Sequence, residues 1–119
     1  MTKPPDYLIP KLVNLFAELG YRFHEVQVTN SCFNEDWVVF AHADKSTLVV
    51  ERYFYSNTER RLKIKRGRLR HSGYDARLVP EAYPQDFNVE TVKEVLGELR
   101  IDVAARLRQK RLHALLCDA

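Results

Sequence analysis

The sequence predicts an α+β fold, an antiparallel β-meander of four to five strands with an N-terminal helix and a long C-terminal helix packed on one face. Apolar residues recur at three- and four-residue spacing near both ends of the chain, whereas the middle is rich in alternating, β-branched and aromatic residues. The connections between the middle segments are short, which favours antiparallel neighbours because parallel strands need a long crossover. With 119 residues, 45% hydrophobic and 29% charged, we expect one domain over 1–119.

The first helix is predicted from apolar residues that follow Pro4 and Pro5 and share one helical face. These residues are Leu8, Ile9, Leu12, Val13, Leu15, Phe16 and Leu19. Gly20 can adopt the left-handed conformation that closes a helix, so we expect the helix to end there. Pro10 either occupies the first turn or marks the true start, because proline is tolerated at the beginning of a helix and not inside it.

Three strands are predicted before the most basic part of the chain. The first covers Tyr21 to Thr29, with Phe23 on one face and, on the other, His24, Val26 and Val28. Trp37 to Ala43 and Thr47 to Tyr55 are rich in β-branched and aromatic residues. We expect these two strands to form a hairpin across a turn at Asp44 and Lys45.

The segment from Arg60 to Ser72 alternates basic and apolar residues around a single glycine. A two-residue turn at Arg66 and Gly67 would fold it into a basic β-hairpin. One face would then carry Leu62, Ile64, Leu69 and His71, and the other Arg61, Lys63, Lys65, Arg68 and Arg70. Like charges opposite each other destabilise a ladder by roughly tenths of a kcal/mol per pair, so the basic face favours an anionic neighbour.

An irregular segment from Gly73 to Asp86 leads to the last helix. Leu78 and Val79 are the candidates in it for a short edge strand. Asp86 or Asn88 is expected to cap the helix that follows, because both residues accept hydrogen bonds from the first turn.

The last helix is long for a domain of this size. Its apolar periodicity continues from Val89 to Leu116, which corresponds to about 42 Å of continuous helix. This exceeds what is needed to cover one small sheet. The helix is therefore expected either to break, at Gly97 or from Arg100 to Asp102, or to project and meet a partner.

We expect the helices to shield Trp37, Val39 and Val49 and their neighbours. The run from Trp37 to Phe40 is apolar on both sides of a strand, which predicts a central strand that is buried on both faces. The second cover would be either the segment from Gly73 to Asp86 or a second subunit.

No sequence motif indicates an enzyme. The four glycines form neither a phosphate-binding loop nor a dinucleotide fingerprint. The four histidines are scattered, without the spacing of a metal site or a catalytic dyad. Two cysteines, Cys32 and Cys117, are too few for a disulfide framework. We therefore expect a non-catalytic protein with no cofactor and no metal.

The apolar runs are short, and the longest lie far below the roughly 20 residues that span a bilayer. The first residues also lack the apolar core of a signal peptide. We therefore expect no membrane association and a cytoplasmic location.

The basic segment is the main candidate site. The net charge is only +3, yet residues 58–77 contain eight Lys or Arg against two acidic residues. Lysine and arginine neutralise phosphates, and a two-stranded ribbon fits the major groove of DNA. The sequence predicts binding of DNA, RNA or another polyanion through Arg60, Arg61, Lys63, Lys65, Arg66, Arg68 and Arg70. Tyr53 and Tyr55 would provide a stacking surface for unpaired bases.

Other interpretations of the same basic residues stay open. They could bind an acidic protein, or they could be solvated residues that keep an edge strand from aggregating. They could also be paired within the chain, for which the acidic side of the last helix offers Glu90, Glu94 and Glu98.

The competing functional hypothesis is a protein-protein interaction module, such as an inhibitor or adaptor. It acts either through the basic face or through the C-terminal helix, and a homodimer is its simplest form. The apolar stripe of that helix extends beyond what the sheet is expected to cover, through Leu107, Leu112, Leu115 and Leu116.

Overall fold

The computed structural model describes residue 4 and residues 10–27, 34–54, 60–69, 73–79 and 88–117, with the backbone alone described at 34–36, 52–54, 60 and 117. Within these residues the elements follow the predicted order, and the α+β class is confirmed. They are α1 (Pro10–Glu18), β1 (Arg22–Gln27), β2 (Asn34–Ala41), β3 (Ser46–Phe54), β4 (Arg60–Arg68), β5 (Asp75–Leu78), α2 (Val89–Glu98) and α3 (Val103–Cys117).

The five strands form one antiparallel meander in the order β1-β2-β3-β4-β5. The predicted turn at Arg66 and Gly67 is wrong. Both residues lie within β4, where Arg66 pairs with Leu48 and Gly67 pairs with Thr47 of β3. The basic residues from Arg60 to Arg68 therefore lie on one continuous strand. This strand has a neighbour on each side, because β5 supplies the second partner over Lys63 to Arg66.

The helices cover the opposite side of β2 and β3 from the one predicted. The core beneath them contains Val38, Phe40, Leu48 and Val50, together with Leu62 and other side chains. Alternation then places the residues expected there, Trp37, Val39 and Val49, on the other face. The error has a physical cause, since this part of β2 is apolar at every position and its pattern specifies no register.

A bulge in β1 changes which of its residues share a face. The pairing with β2 shifts between Phe23 and Glu25, so that Phe23 pairs with Phe40 and Val26 pairs with Val38. Phe23 and Val26 therefore both pack against the core. The regular alternation expected from the sequence placed them on opposite faces and was wrong at this point.

The face of the sheet away from the helices is also buried at its centre. Val39 and Val49 are 3% and 0% exposed, which confirms a central region buried on both faces. Tyr74, from the irregular segment after β4, contributes to the cover, because its ring lies edge-on to Trp37 with centroids 5.7 Å apart. A Cβ on Gly67 would lie 2.5 Å from the Tyr74 ring. The glycine is thus required by close packing and not by a turn.

The described part of helix α1 runs from Pro10 to Glu18, and the chain turns at Gly20, which closes the helix as expected. Residues 5–9 lie outside the described part of the chain, so the choice between the two predicted starts stays a prediction. Gly20 has a φ of 93°. Its N–H donates to Ala17 O at 3.0 Å, and Tyr21 N–H donates to Phe16 O at 2.8 Å. These two bonds form the Schellman closure of a helix, in which a left-handed residue is required.

The long C-terminal helix breaks into α2 and α3 at the predicted Arg100 to Asp102 segment. Asn88 caps α2, with its side chain accepting from Glu90 N at 2.9 Å. The other end repeats the Schellman pattern, since Arg100 N donates to Gly97 O and Ile101 N to Leu96 O. Here the left-handed position, with a φ of 66°, is held by an arginine.

Candidate functional site

Strand β4 divides its side chains between the two faces of the sheet. Leu62 and Ile64 are fully buried in the core beneath the helices. Arg61, Lys63 and Lys65 alternate with them and lie on the opposite face, where each is half-buried. Three of the predicted polyanion-binding residues are thus brought together along one strand.

Lys65 is engaged inside the protein. Its Nζ lies 2.8 Å from Glu51 Oε2 and 3.7 Å from the centroid of the Trp37 ring. The side chains of Lys65 and Glu51 are 14% and 1% exposed. Glu51 Oε2 has no well-aligned hydrogen-bond donor, so the contact with Lys65 is chiefly electrostatic. Internal pairing of a basic residue therefore occurs here, with a carboxylate of β3 as the partner.

Arg66 and Arg68 extend toward backbone carbonyls at one end of the sheet. Arg66 Nη1 donates to Leu99 O at 2.7 Å and to Arg100 O at 2.8 Å, which are carbonyls at the end of α2. Arg68 Nη2 donates to Asp44 O at 3.0 Å, in the turn between β2 and β3. Cations stabilise helix C-termini, so the structure gives Arg66 a capping role.

The remaining residues predicted to bind a polyanion either have no described side chain or lie outside the described residues. Arg60 and Tyr53 belong to paired strands, where Phe54 pairs with Arg60 and Tyr53 pairs with Arg61, but their side chains are not described. Arg70 and Tyr55 lie outside the described residues. Cys32, one of the two cysteines, also lies outside them.

The four leucines proposed as an oligomer interface do not share one surface. Leu107 packs against the hydrophobic core. Leu112, Leu115 and Leu116 are exposed by 62%, 70% and 73%. At 3.6 residues per turn, Leu107 and Leu116 point in opposite directions from the helix axis. The leucine stripe, which we define as Leu112, Leu115 and Leu116, is therefore separate from the docked side of α3.

Sequence reasoning missed the cluster formed by Glu51, Trp37 and Tyr74 on the face away from the helices. A signal was available for Glu51, because it directly follows the apolar run Leu48, Val49 and Val50 within a predicted strand. A carboxylate in such a strand is rarely buried without a partner. No comparable signal identifies Lys65 as that partner, since the pairing depends on the register between β3 and β4.

The turn between β2 and β3 lowers the pKa of a carboxylate, that of Asp44. The Ser46 hydroxyl donates to Asp44 Oδ1 at 2.5 Å, and Ser46 N–H donates to the same atom at 2.8 Å. These hydrogen bonds, with smaller contributions from His42 and Arg106, hold the pKa of Asp44 below its ordinary value. The charged carboxylate therefore stabilises this turn.

Comparisons with protein-family models, with curated proteins and with solved structures find no significant match to the chain. Among the described residues, no group of three or more His, Cys, Asp or Glu is arranged to hold a metal ion. None of the helices described is both long and apolar enough to span a membrane.

Proposed function

We propose that the protein is a non-catalytic interaction module that binds an acidic protein partner through the exposed half of α3. The observation that carries the proposal is the leucine stripe, with side chains 62–73% exposed. Burying apolar surface contributes about 25 cal/mol per Å². Grouped large apolar side chains at a surface are typical of interaction sites. A cytoplasmic location remains a prediction from the sequence.

The position of the stripe supports docking of a helix or groove from another molecule. Helix α3 is anchored at its start, where Val103 and Leu107 pack against the core. From residue 108 to residue 116 every side chain is exposed. The stripe therefore lies on a part of α3 that the described residues of its own domain do not cover.

The charge of α3 indicates the kind of partner. Its sequence, Val103–Cys117, contains four arginines or lysines and no acidic residue. Two copies packed side by side through α3 would bring eight cations together, which is unfavourable. A partner helix with an apolar stripe and flanking carboxylates would complement both the leucines and the basic residues of α3. We therefore favour an acidic partner over the homodimer that the sequence also predicts.

A designed peptide tests this chemistry directly. The probe is an acidic amphipathic peptide of roughly 18 residues, enough for five helical turns, with leucines on one side and glutamates beside them. We expect the protein to bind it, and the triple variant Leu112→Ser, Leu115→Ser, Leu116→Ser to bind at least about tenfold more weakly, since about 1.4 kcal/mol corresponds to tenfold. Fluorescence anisotropy of the labelled peptide measures the affinity.

Two controls make the test specific. Ala114→Ser adds a hydroxyl to the exposed part of the same helix outside the stripe and should leave the affinity unchanged. A peptide of the same composition with its leucines dispersed should not bind. Equal affinity of the wild type and the triple variant, or equal binding of both peptides, would contradict the proposal. Sedimentation of the unliganded protein as a stable dimer that the triple variant abolishes would support the homodimer instead.

Polyanion binding through β4 is the second candidate function. The observation that favours it is the alignment of Arg61, Lys63 and Lys65 along one face. Engagement of Lys65, Arg66 and Arg68 within the protein weighs against it. If β4 binds DNA or RNA, the affinity for a mixed-sequence oligonucleotide falls steeply with salt and falls again in Arg61→Ser, Lys63→Ser. An affinity that this double variant leaves unchanged would exclude the β4 face as the site.

A further inference from the structure

A basic cleft lies between the end of α1, the start of β1 and one side of α3. Its volume is about 490 Å³, within the range of roughly 300–1,000 Å³ typical of small-molecule sites. Among the described residues, five basic side chains and one carboxylate, Glu18, line it. The five are Arg22, His42, Arg106, Lys110 and His113. None of these residues belongs to the basic strand β4 or to the leucine stripe.

Three separate elements bring these bases together. Arg22 begins β1, His42 follows β2, and α3 contributes the other three. Arg106 and Lys110 are four residues apart, so they are neighbours on one side of the helix. Like charges at this spacing repel each other and destabilise a helix. An anion in the cleft would relieve this repulsion.

Close contacts hold two of the cleft side chains in place. The His42 ring packs against Gly20 so closely that a Cβ there would lie 2.7 Å from Cδ2 and Nε2. Arg106 lies 5.2 Å from the centroid of the Tyr21 ring, and its Nη1 donates to Leu19 O at 3.4 Å. These groups are fixed before any ligand arrives, which reduces the entropy lost on binding.

Stabilisation of α1 explains only part of this charge. Arg106 reaches a carbonyl at the end of α1, which favours cations. Arg22 and Lys110 are exposed, and within the described residues neither side chain makes a hydrogen bond or an ion pair. Both cations face a cleft in which Glu18 is the one acidic side chain among the described lining residues, so positive charge is in excess there.

We propose that this cleft binds the phosphate group of a small phosphorylated ligand. Arg22 provides a planar guanidinium that can donate two parallel hydrogen bonds to phosphate oxygens, and Lys110 provides a compact charge. Arg106, already fixed by its contacts, adds positive potential at the same place. A cleft of about 490 Å³ has the size for a small phosphate monoester, whereas a nucleic acid strand would need an extended basic track.

Titration with inorganic phosphate and with glycerol 3-phosphate, at constant ionic strength, tests the proposal. We expect saturable binding of both by calorimetry or by amide chemical shifts near the cleft. Arg22→Gln and Lys110→Gln should each weaken binding about tenfold, since each variant loses a charged hydrogen-bond donor to the phosphate. Both residues are exposed, and circular dichroism checks that the variants are folded.

Arg108→Gln is the matched control. It removes the same charge from the same helix, but two residues correspond to about 200° of rotation, so Arg108 lies nearly opposite Lys110. Its affinity for phosphate should equal that of the wild type. A loss in Arg108→Gln equal to that in Lys110→Gln would mean non-specific attraction and overturn the site. Absence of saturable binding would also overturn it. So would stronger binding of an oligonucleotide whose affinity is unchanged in Arg22→Gln and Lys110→Gln.

Discussion

Single side chains decide how much of the basic charge faces solvent. Arg66 was expected to contact a ligand, yet it donates to the two carbonyls at the end of α2. Those carbonyls are free because Arg100 turns the backbone left-handed and interrupts the helix. Arg66 thus satisfies carbonyls that the left-handed backbone of Arg100 leaves without a partner within the helix.

The conformation of Arg100 is a source of strain. A left-handed backbone costs a residue other than glycine about 1–2 kcal/mol. We predict that Arg100→Gly raises the free energy of unfolding by about 1 kcal/mol. The substitution relieves the strain and keeps the Schellman closure and the Arg66 hydrogen bonds, because both use only the backbone of residue 100. Urea unfolding measures the change. The control Glu94→Gly, on the exposed side of α2, should lower the stability by about 1 kcal/mol. Destabilisation by both glycines would show that Arg100 is not strained.

Asp44 makes the stability of the protein depend on acidity. Its pKa is held below the ordinary value of 3.8, chiefly by the Ser46 hydroxyl. The stabilisation is therefore complete above the pKa of the unfolded chain and is lost as the pH falls through the lower pKa of the folded state. We predict that Asp44→Asn is less stable than the wild type at neutral pH. The difference should vanish well below pH 3.8. Urea unfolding over this range tests it, and a difference independent of pH would contradict the assignment.

Secondary-structure elements could be predicted from the sequence more completely than their contacts. The order of strands, the turn at Gly20 that closes α1 and the break near Arg100 all follow from local patterns and turn residues. The faces of β2 did not, because Trp37 to Phe40 is apolar throughout. The role of Arg66 did not either, since its partner Leu99 is 33 residues away in sequence.

The pairing of β3 with β4 brings together Glu51, a buried carboxylate, and Lys65. The site predicted from the sequence did not include Glu51. Glu51→Gln leaves the Lys65 cation without its carboxylate in a largely buried position. We predict a loss of about 3 kcal/mol in the free energy of unfolding, the lower end of the range for breaking a buried pair, because Lys65 retains some exposure. Thermal or urea unfolding of the purified variant measures the loss.

A double variant separates the cost of an unpaired charge from the value of the pair. Replacing both residues, with Glu51→Leu and Lys65→Met, removes the charges together and should recover most of the lost stability. If the double variant is as unstable as Glu51→Gln or less stable, the ion pair itself stabilises the sheet, and our account of the cluster is wrong.

The whole molecule is elongated, measuring 53 × 30 × 26 Å. Helix α3 is anchored to the core only at its start, whereas the bases of β4 are largely engaged in internal contacts. The part of the chain that the structure describes thus presents three distinct surfaces, which are the leucine stripe, the basic cleft and the outer face of β4. The first is the surface that we assign to a protein partner.

Amide hydrogen exchange distinguishes these surfaces in a single experiment. Short helices without tertiary packing are marginally stable in water, so residues 108–117 should exchange rapidly in the isolated protein. Saturation with the acidic amphipathic peptide should slow exchange across 108–117, leave β4 unchanged, and have no such effect in the triple leucine variant. Protection that appears on β4 instead of α3, or that persists in the triple variant, would contradict the assignment of α3 as the partner-binding element.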